Sequence, residues 1–203
     1  QIGVTPVLVY QITPHAIAGI HANKPDLKVA LRVNNSPGLI DAVAMGQLDI
    51  AVVNVYHKPE SLHVLYQKRL KYVCLLPEDH PLAKSSRPID LKALKEAECV
   101  AYDTARLQSA ESNWIKLLSW PQASLSAYSN IAVASLARAT GKPAIVDPYT
   151  AKTMVALGGV TSRPISQRLT STLYVVARGI DTLSLAAREL ADAVITQLKQ
   201  SVH

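Results

Sequence analysis

The residues best suited to bind a ligand are small hydroxyl side chains that stand between a predicted strand and a predicted helix. Thr5 and Ser36 each precede a proline, and Ser129 precedes a helix predicted to start near Asn130. A helix N-terminus offers unpaired N–H groups and a partial positive charge, to which the hydroxyl adds a hydrogen-bond donor. At the carboxyl ends of parallel strands, such junctions predict a site for a carboxylate or similar anion. For each residue taken alone, the alternative is an ordinary helix cap.

Asp147 is a different kind of candidate, because it follows a predicted buried strand at 144–146 and precedes Pro148. As a helix N-cap it would be ordinary. As a carboxylate beside an anion pocket, it would pair with a cationic group of the ligand. The second reading predicts a zwitterion site, in which replacement of Asp147 by Asn weakens a cationic ligand and spares a simple carboxylate.

The chain carries none of the common catalytic signatures. It has no GxSxG, GxxxxGK[ST], GxGxxG or HExxH, and its six histidines share no ligand spacing. Cys74 with His80 is the nearest approach to a nucleophile and base, but nothing local would activate the thiol. We therefore expect neither catalysis nor a metal or other cofactor.

Composition indicates a folded α/β protein of one large or two small domains. The chain has 203 residues, of which 49% are hydrophobic and 18% are charged. Its net charge of +6 comes from 21 basic and 15 acidic residues that are scattered along the chain. Aromatic residues make up only 5%, with no Phe, so a base-stacking surface for nucleic acid is disfavoured. No apolar stretch approaches the roughly 20 residues of a membrane span.

The first quarter predicts a β-α-β-α-β unit with a parallel sheet. A short strand ends before Thr5, and a helix with an apolar face every fourth residue follows from there. Strands are predicted at 27–33 and 49–53, with a helix between them that Ser36 opens and Gly46 ends. Further strands are predicted at 62–66, 72–76, 99–102, 124–127, 144–146 and 173–177, and further helices at 89–94, 109–118, 130–139 and from Leu183 to Leu198.

The two cysteines, Cys74 and Cys99, lie in apolar strand-like runs without a CxxC motif. Buried reduced thiols are favoured over a disulfide, which weakly favours a reducing compartment.

Several segments together resemble the effector-binding domain of LysR-type transcriptional regulators. They include residues 2–5 with Pro14, the segment 24–27, the run 46–53 and the "LP…HPLA" turn at 76–83. Residues 90–91 and 145–148 also fit, so that the similarity covers essentially the whole chain. One departure is the segment 141–143, Gly-Lys-Pro, where the family has a glycine-rich "GxGI" turn.

The resemblance implies a periplasmic-binding-protein-like (type 2) α/β fold, with two Rossmann-like subdomains joined by two crossover strands. One subdomain would contain 1–71 and 171–203, the other 72–170, with a small effector in the cleft between them. It also implies a winged helix-turn-helix that precedes Gln1 and binds DNA, a homodimer or homotetramer, a cytoplasmic location and no membrane contact.

The family's ligand contacts match a defined set of positions in this chain: Thr5, Pro6, Val7, Ser36, Pro37, the segment 104–107 with Thr104, Arg106 and Leu107, and Ser129. The branch that senses amino acids and opines has a similar Asp-Pro after a strand, so Asp147 suggests an amino-acid-like effector. The identity of the effector and the direction of regulation are left open. Two alternatives are a free-standing solute-binding protein of a transporter and, more distantly, an enzyme on a similar scaffold.

Overall fold

The computed structural model describes residues 1–55, 57–85, 87–94, 98–103, 120 and 122–201. The chain divides into two compact units. Unit 1 contains Gln1–Leu70 and Ser171–His203, and unit 2 contains Lys71–Thr170. In the part of the chain that the structure describes, each unit has one five-stranded sheet flanked by helices, so the expected α/β architecture is confirmed.

The sheet of unit 1 is mixed. Its strands run in the order β2-β1-β3-β10-β4. β1 pairs in parallel with β2 and β3, as the β-α-β-α-β pattern predicts, and β10 pairs with β3 in antiparallel fashion. The strand bounds are β1 Ile2–Val4, β2 Leu31–Val33, β3 Ile50–Val55, β4 His63–Lys71 and β10 Thr170–Ala177.

The first helix is predicted to begin directly after Thr5, and this predicted start is wrong. A short 3₁₀ turn, Pro6–Val9, comes first, and helix α1 then runs over Ile12–Asn23. Pro14 explains the break, since a proline has no N–H and is tolerated only in the first turn of a helix. A helix continuous from Pro6 would have placed that proline in its interior.

The two faces of this sheet are covered by different helices. Helix α2, Ser36–Ala44, packs on one face, where Leu39 and Val43 contact Ala51, Val53 and the β10 side chains Tyr174 and Val176. Side chains alternate along a strand, so Ile50, Val52, Leu173 and Val175 point to the other face. Helices α1 and α5 (Leu185–Gln200), which pack against each other, are the remaining helices among the described residues of this unit and cover that face.

Unit 2 repeats the layered plan with its own sheet, in the order β7-β6-β8-β5-β9. β6 pairs in parallel with β7 and β8, while β5 is antiparallel to β8 and β9.

The helix predicted at 89–94 is instead a 3₁₀ turn, Leu91–Ala93, in which Asp90 caps the N–H of Lys92 at 3.0 Å. The helix predicted at 109–118 lies outside the described residues. The element bounds are β5 Val73–Pro77, β6 Val100–Tyr102, β7 Leu125–Ala127, α3 Asn130–Thr140, β8 Ala144–Val146, α4 Pro148–Ala156 and β9 Val160–Pro164.

Two buried clusters lie on the two faces of the unit 2 sheet. Cys74 and Leu76 belong to one cluster, and Leu75 between them belongs to the other. Helix α3 packs on the Leu75 side and ends at Gly141, whose φ of 65° is the left-handed conformation typical of a C-terminal glycine. The Gly-Lys-Pro segment therefore begins with an ordinary helix stop.

Gly3 is required by the approach of helix α2 to β1. A Cβ atom built on Gly3 would lie 2.5 Å from Leu39 Cδ2 and 2.5 Å from Leu48 Cδ1, and both leucines are buried. We expect Gly3→Ala to lower the free energy of unfolding by about 1–3 kcal/mol, because two buried leucine side chains must shift to admit the methyl group. Urea unfolding of each variant measures the effect. Gly19→Ala is the control, since its Cβ meets nothing within 4 Å in helix α1 and should add about 0.5–1 kcal/mol. Equal effects of the two changes would contradict this explanation.

Cys74 and Cys99 are buried thiols that form no disulfide, as the sequence indicates. Burial, with a smaller effect of the neighbouring Cys99, raises the pKa of the Cys74 thiol to about 12. His80 is not its base, because the His80 ring accepts a hydrogen bond from the Leu82 N–H at 3.2 Å.

We expect both thiols to resist a thiol-specific disulfide reagent in the native protein and to react fully in denaturant, since the thiolate is the reactive form. The raised pKa also predicts how stability changes with pH. The Cys74 thiol stabilises the folded state below its ordinary pKa, and this contribution is lost as the pH rises toward 12. Rapid reaction of either thiol at neutral pH would contradict the buried placement.

Candidate functional site

Thr5 lies at the carboxyl end of β1 and presents a hydroxyl with no internal use. Its N–H donates to the Val52 carbonyl at 3.3 Å and so extends the ladder between β1 and β3. Its side chain is 8% exposed and does not cap the 3₁₀ turn that follows. Within the described residues, Oγ1 of Thr5 is buried without a hydrogen-bond partner. The hydroxyl therefore keeps an unused donor, which makes Thr5 a candidate contact for a ligand.

Ser36 has a different function from the predicted helix cap. Its hydroxyl donates to the Asn54 carbonyl and accepts from the Asn54 N–H, both at 3.0 Å. Helix α2 is capped by Asn35, whose Oδ1 accepts from the Gly38 N–H at 3.0 Å. The physical reason is that Asn54 extends beyond the end of β1 and its backbone groups need partners. Because the Ser36 proton is directed to Asn54, the serine offers a ligand only an acceptor in this arrangement.

The residues next to these hydroxyls lie at the same edge of the sheet. Pro6 and Val7 form the half-buried start of the 3₁₀ turn, and Pro37 is exposed at the start of helix α2. Thr5 and Ser36 are thus brought to neighbouring strand ends in unit 1, as the parallel sheet requires.

In unit 2, Ser129 is the N-cap residue of helix α3, with extended backbone geometry. Its carbonyl accepts from the Val133 N–H at 2.8 Å, but its side chain makes no capping hydrogen bond. The neighbouring Asn130 Oδ1 is buried and has no partner among the described residues. The first turn of helix α3 therefore combines N–H groups free of a side-chain cap with an unengaged hydroxyl.

Tyr102, at the end of β6, adds a feature that the sequence did not indicate. Its hydroxyl donates to the Tyr128 carbonyl at 3.2 Å, and the two rings lie 6.0 Å apart at 45°. Burial, followed by smaller effects of Tyr72, Tyr128 and two carboxylates, raises the Tyr102 pKa. The tyrosine thus stays neutral and holds the segment that leads to Ser129.

Asp147 is the N-cap of helix α4, which is one of the two roles considered from sequence. Its Oδ1 accepts from the N–H groups of Tyr149 at 2.9 Å and Thr150 at 3.0 Å, and its Oδ2 accepts from the Thr150 hydroxyl at 2.5 Å. The residue is 1% exposed, and burial raises its pKa against the opposing effect of these hydrogen bonds. Since both carboxylate oxygens are engaged within the helix start, the pairing with a cationic ligand is not retained.

The remaining predicted contacts, Thr104, Arg106 and Leu107, lie outside the described residues. Among the described residues, no group of three or more metal-ligating side chains comes together. No helix of the described part is long and apolar enough to cross a membrane.

Sequence reasoning missed the polar residues Thr13, Asn54 and Asn130, each of which carries a buried oxygen without a partner in the described part of the chain. Asn54 had a recognisable signal, because it directly follows the apolar run of β3 at the carboxyl end of that strand. Thr13 had none, since a threonine in the first turn of a helix is ordinary in sequence.

Two substitutions of Asp147 distinguish its role as a hydrogen-bond acceptor at the helix start from the effect of its negative charge. Asp147→Ala should lower the free energy of unfolding by about 1–2 kcal/mol, because the N–H groups of the first turn lose their acceptor. Asp147→Asn keeps an acceptor oxygen and should cost only a small part of that.

The two variants also predict a pH dependence. Because its folded-state pKa is raised, Asp147 favours folding below its ordinary pKa and loses that contribution as pH rises through the raised value. The stability of wild type relative to Asp147→Asn should therefore fall as pH rises from about 4. Urea unfolding over a pH series checks this, and a constant difference would contradict the raised pKa.

The family model described as "LysR substrate binding domain" matches residues 1–199. Among solved structures, the effector-binding domain of QuiR in complex with shikimate superimposes with a TM-score of 0.75 at 15% identity, covering 100% of this chain and 97% of that one. HinK, a LysR family regulator from Pseudomonas aeruginosa, gives 0.74 at 17% identity over 98% and 70%. The reduced regulatory domain of OxyR2 from Vibrio vulnificus gives 0.73 at 14% identity over 97% and 93%.

No curated protein sequence matches the chain. The structural likenesses show the fold, while the family match covers nearly the whole chain and supports the regulator over the solute-binding protein of a transporter. Domains of this family are regulatory and not catalytic, bind small-molecule effectors and form oligomers. The chain belongs to the LysR substrate-binding domain family and is the ligand-sensing regulatory domain of a LysR-type transcriptional regulator.

Proposed function

We propose that this domain senses a small effector that carries a carboxylate, either a plain acid or an amino-acid-like molecule. The observation that supports this most directly is the hydroxyl of Thr5, which is buried, without a partner in the described residues, and placed at the end of a parallel strand. A buried hydroxyl that lacks a partner costs about 1–3 kcal/mol, and a carboxylate that accepts a hydrogen bond from it removes this cost.

Within unit 1, Thr5 donates to the effector carboxylate. Pro6, Val7 and Pro37 frame the contact, and Ser36 keeps the end of β3 in place through Asn54. Unit 2, taken by itself, offers donors for an anion at Ser129 and the first turn of helix α3, where the helix dipole is favourable. Asp147 acts as a positioning residue that fixes the start of helix α4.

The complex of QuiR with shikimate supports a carboxylate as the effector class, since shikimate is a carboxylic acid. The effector acts by binding one conformation of the domain more tightly than another, and its differential affinity sets the size of the response. The response reaches DNA through a winged helix-turn-helix of the same regulator, in a homodimer or homotetramer in the cytoplasm. The domain itself performs no catalysis.

Thermal unfolding with a panel of ligands tests this proposal. The panel contains basic amino acids and opines, neutral amino acids, dicarboxylates and aromatic acids, each with a carboxylate-free analogue. A ligand at 100 times its dissociation constant stabilises by about 2.7 kcal/mol, which corresponds to roughly 5–10 °C for a chain of this size. We expect a shift with one carboxylate class and none with its analogue.

The role of Thr5 is tested by Thr5→Val, which should weaken the active ligand at least about tenfold through loss of a hydrogen bond to a charged group. Thr196→Val is the matched control, because the exposed Thr196 hydroxyl bonds only the Asp192 carbonyl at 2.8 Å in helix α5. Unchanged affinity in Thr5→Val would remove Thr5 from the site. A shift with the carboxylate-free analogues would overturn the proposed effector class.

A further inference from the structure

Three polar side chains in unit 1, Thr13, Asn54 and Ser171, carry buried oxygens that no group of the described residues satisfies. We call them the neutral cluster. Thr13 is 0% exposed and Ser171 2%. None of the three was assigned a role by the family resemblance, and the carboxylate site does not use them.

The strand register places two members on one face of the sheet. Asn54 of β3 lies opposite Leu173 of β10. Ser171 precedes Leu173 by two residues and so shares its face. This face is opposite to helix α2, because the alternate side chains Tyr174 and Val176 contact the α2 cluster.

Thr13 lies on the helix layer that covers this face of the sheet. It lies in the first turn of helix α1, and α1 is one of the two helices that cover this face. The helix follows β1, so its N-terminus lies near the carboxyl edge of the sheet, where Asn54 stands. The three residues are therefore placed at the same edge of the layer between the sheet and helix α1.

The surroundings of the neutral cluster are apolar. Side chains of Ile50, Val52, Leu173 and Val175 lie on this face of the sheet, and Ile12 and Ala16 are buried on helix α1. Buried polar groups are normally satisfied, and each that is not lowers stability. Three such groups together are retained at a cost to folding, which is typical of a site that serves binding.

We propose that the neutral cluster is a subsite for an uncharged hydrogen-bonding group of the effector, a hydroxyl or a carboxamide. Two hydroxyls can donate or accept, and the Asn54 oxygen accepts, which matches a group that can both donate and accept. The neighbours named above are apolar, so they would offer an ionic group no counter-charge in exchange for its lost hydration. The inference rests on the proposed function, since it describes the part of the effector beyond its carboxylate.

Paired ligands test the subsite. Shikimate is compared with 1-cyclohexene-1-carboxylate, which lacks the hydroxyls, and glutamine with norvaline, which has a methyl in place of the carboxamide. The protein is tested as wild type, as Thr13→Val, Ser171→Ala and their double variant, and as the control Thr196→Val. Thermal unfolding without ligand and dissociation constants with each ligand are the readouts.

Without ligand, we expect the double variant to unfold about 2–4 °C above wild type, because unsatisfied hydroxyls are removed. Wild type and Thr196→Val should bind the polar member of at least one pair about tenfold or more tightly than the apolar member. The double variant should lose that preference. Loss of ligand discrimination together with a gain of stability is not expected from a purely structural role.

Three results would overturn the subsite. A double variant that unfolds at a lower temperature shows that the hydroxyls are satisfied in the protein or by bound water. Equal binding within both pairs shows that the subsite does not read the polar group, while the carboxylate proposal stands. If neither a polar nor an apolar carboxylate binds, the proposed effector class fails and the subsite fails with it.

Discussion

The parallel ladder between β1 and β3 ends at Thr5, and the organisation of unit 1 depends on how the chain completes that ladder. On the β1 side, beyond the Thr5 N–H, the backbone of Asn54 has no strand residue beside it, and the Ser36 hydroxyl is its donor and acceptor there. The start of helix α2 is thereby tied to the end of β3. Thr5, released from capping, keeps its hydroxyl for another partner. The Ser36 hydroxyl is therefore used within the fold, whereas the Thr5 hydroxyl has no partner among the described residues.

In unit 2, a carboxylate provides the hydrogen-bond acceptor that backbone N–H groups at a helix start require. Asp147 satisfies the first turn of helix α4 with both oxygens, while Ser129 leaves the first turn of helix α3 without a side-chain cap. The N-terminus of helix α4 therefore has a carboxylate acceptor, and the N-terminus of helix α3 has no side-chain acceptor. The N–H groups at the start of α3 favour an anion, whereas those at the start of α4 already have the Asp147 carboxylate as acceptor.

Much of the fold followed from periodicity and from the family resemblance, whereas the roles of individual side chains did not. Apolar spacing identified the face of helix α1, but its start depended on where Pro14 could be tolerated. Ser36 and Asn35 are both good cap residues, and only the position of Asn54 decides between them. The orphaned oxygen of Thr13 is a property of its surroundings, so no spacing rule could find it. Strand β9 escaped detection because Val160–Pro164 has mixed polarity and ends in proline.

The division of the chain into one continuous unit and one interrupted unit affects the order in which it folds. Unit 2 consists of a single segment, but β10, which lies between β3 and β4, comes from the C-terminal part of unit 1. During synthesis, β3 and β4 therefore have no strand between them until about 100 further residues have been added to the chain. Contacts of such long sequence separation form slowly. Unit 2 is free to fold on the ribosome first, as a completed insert that brings the two parts of unit 1 together.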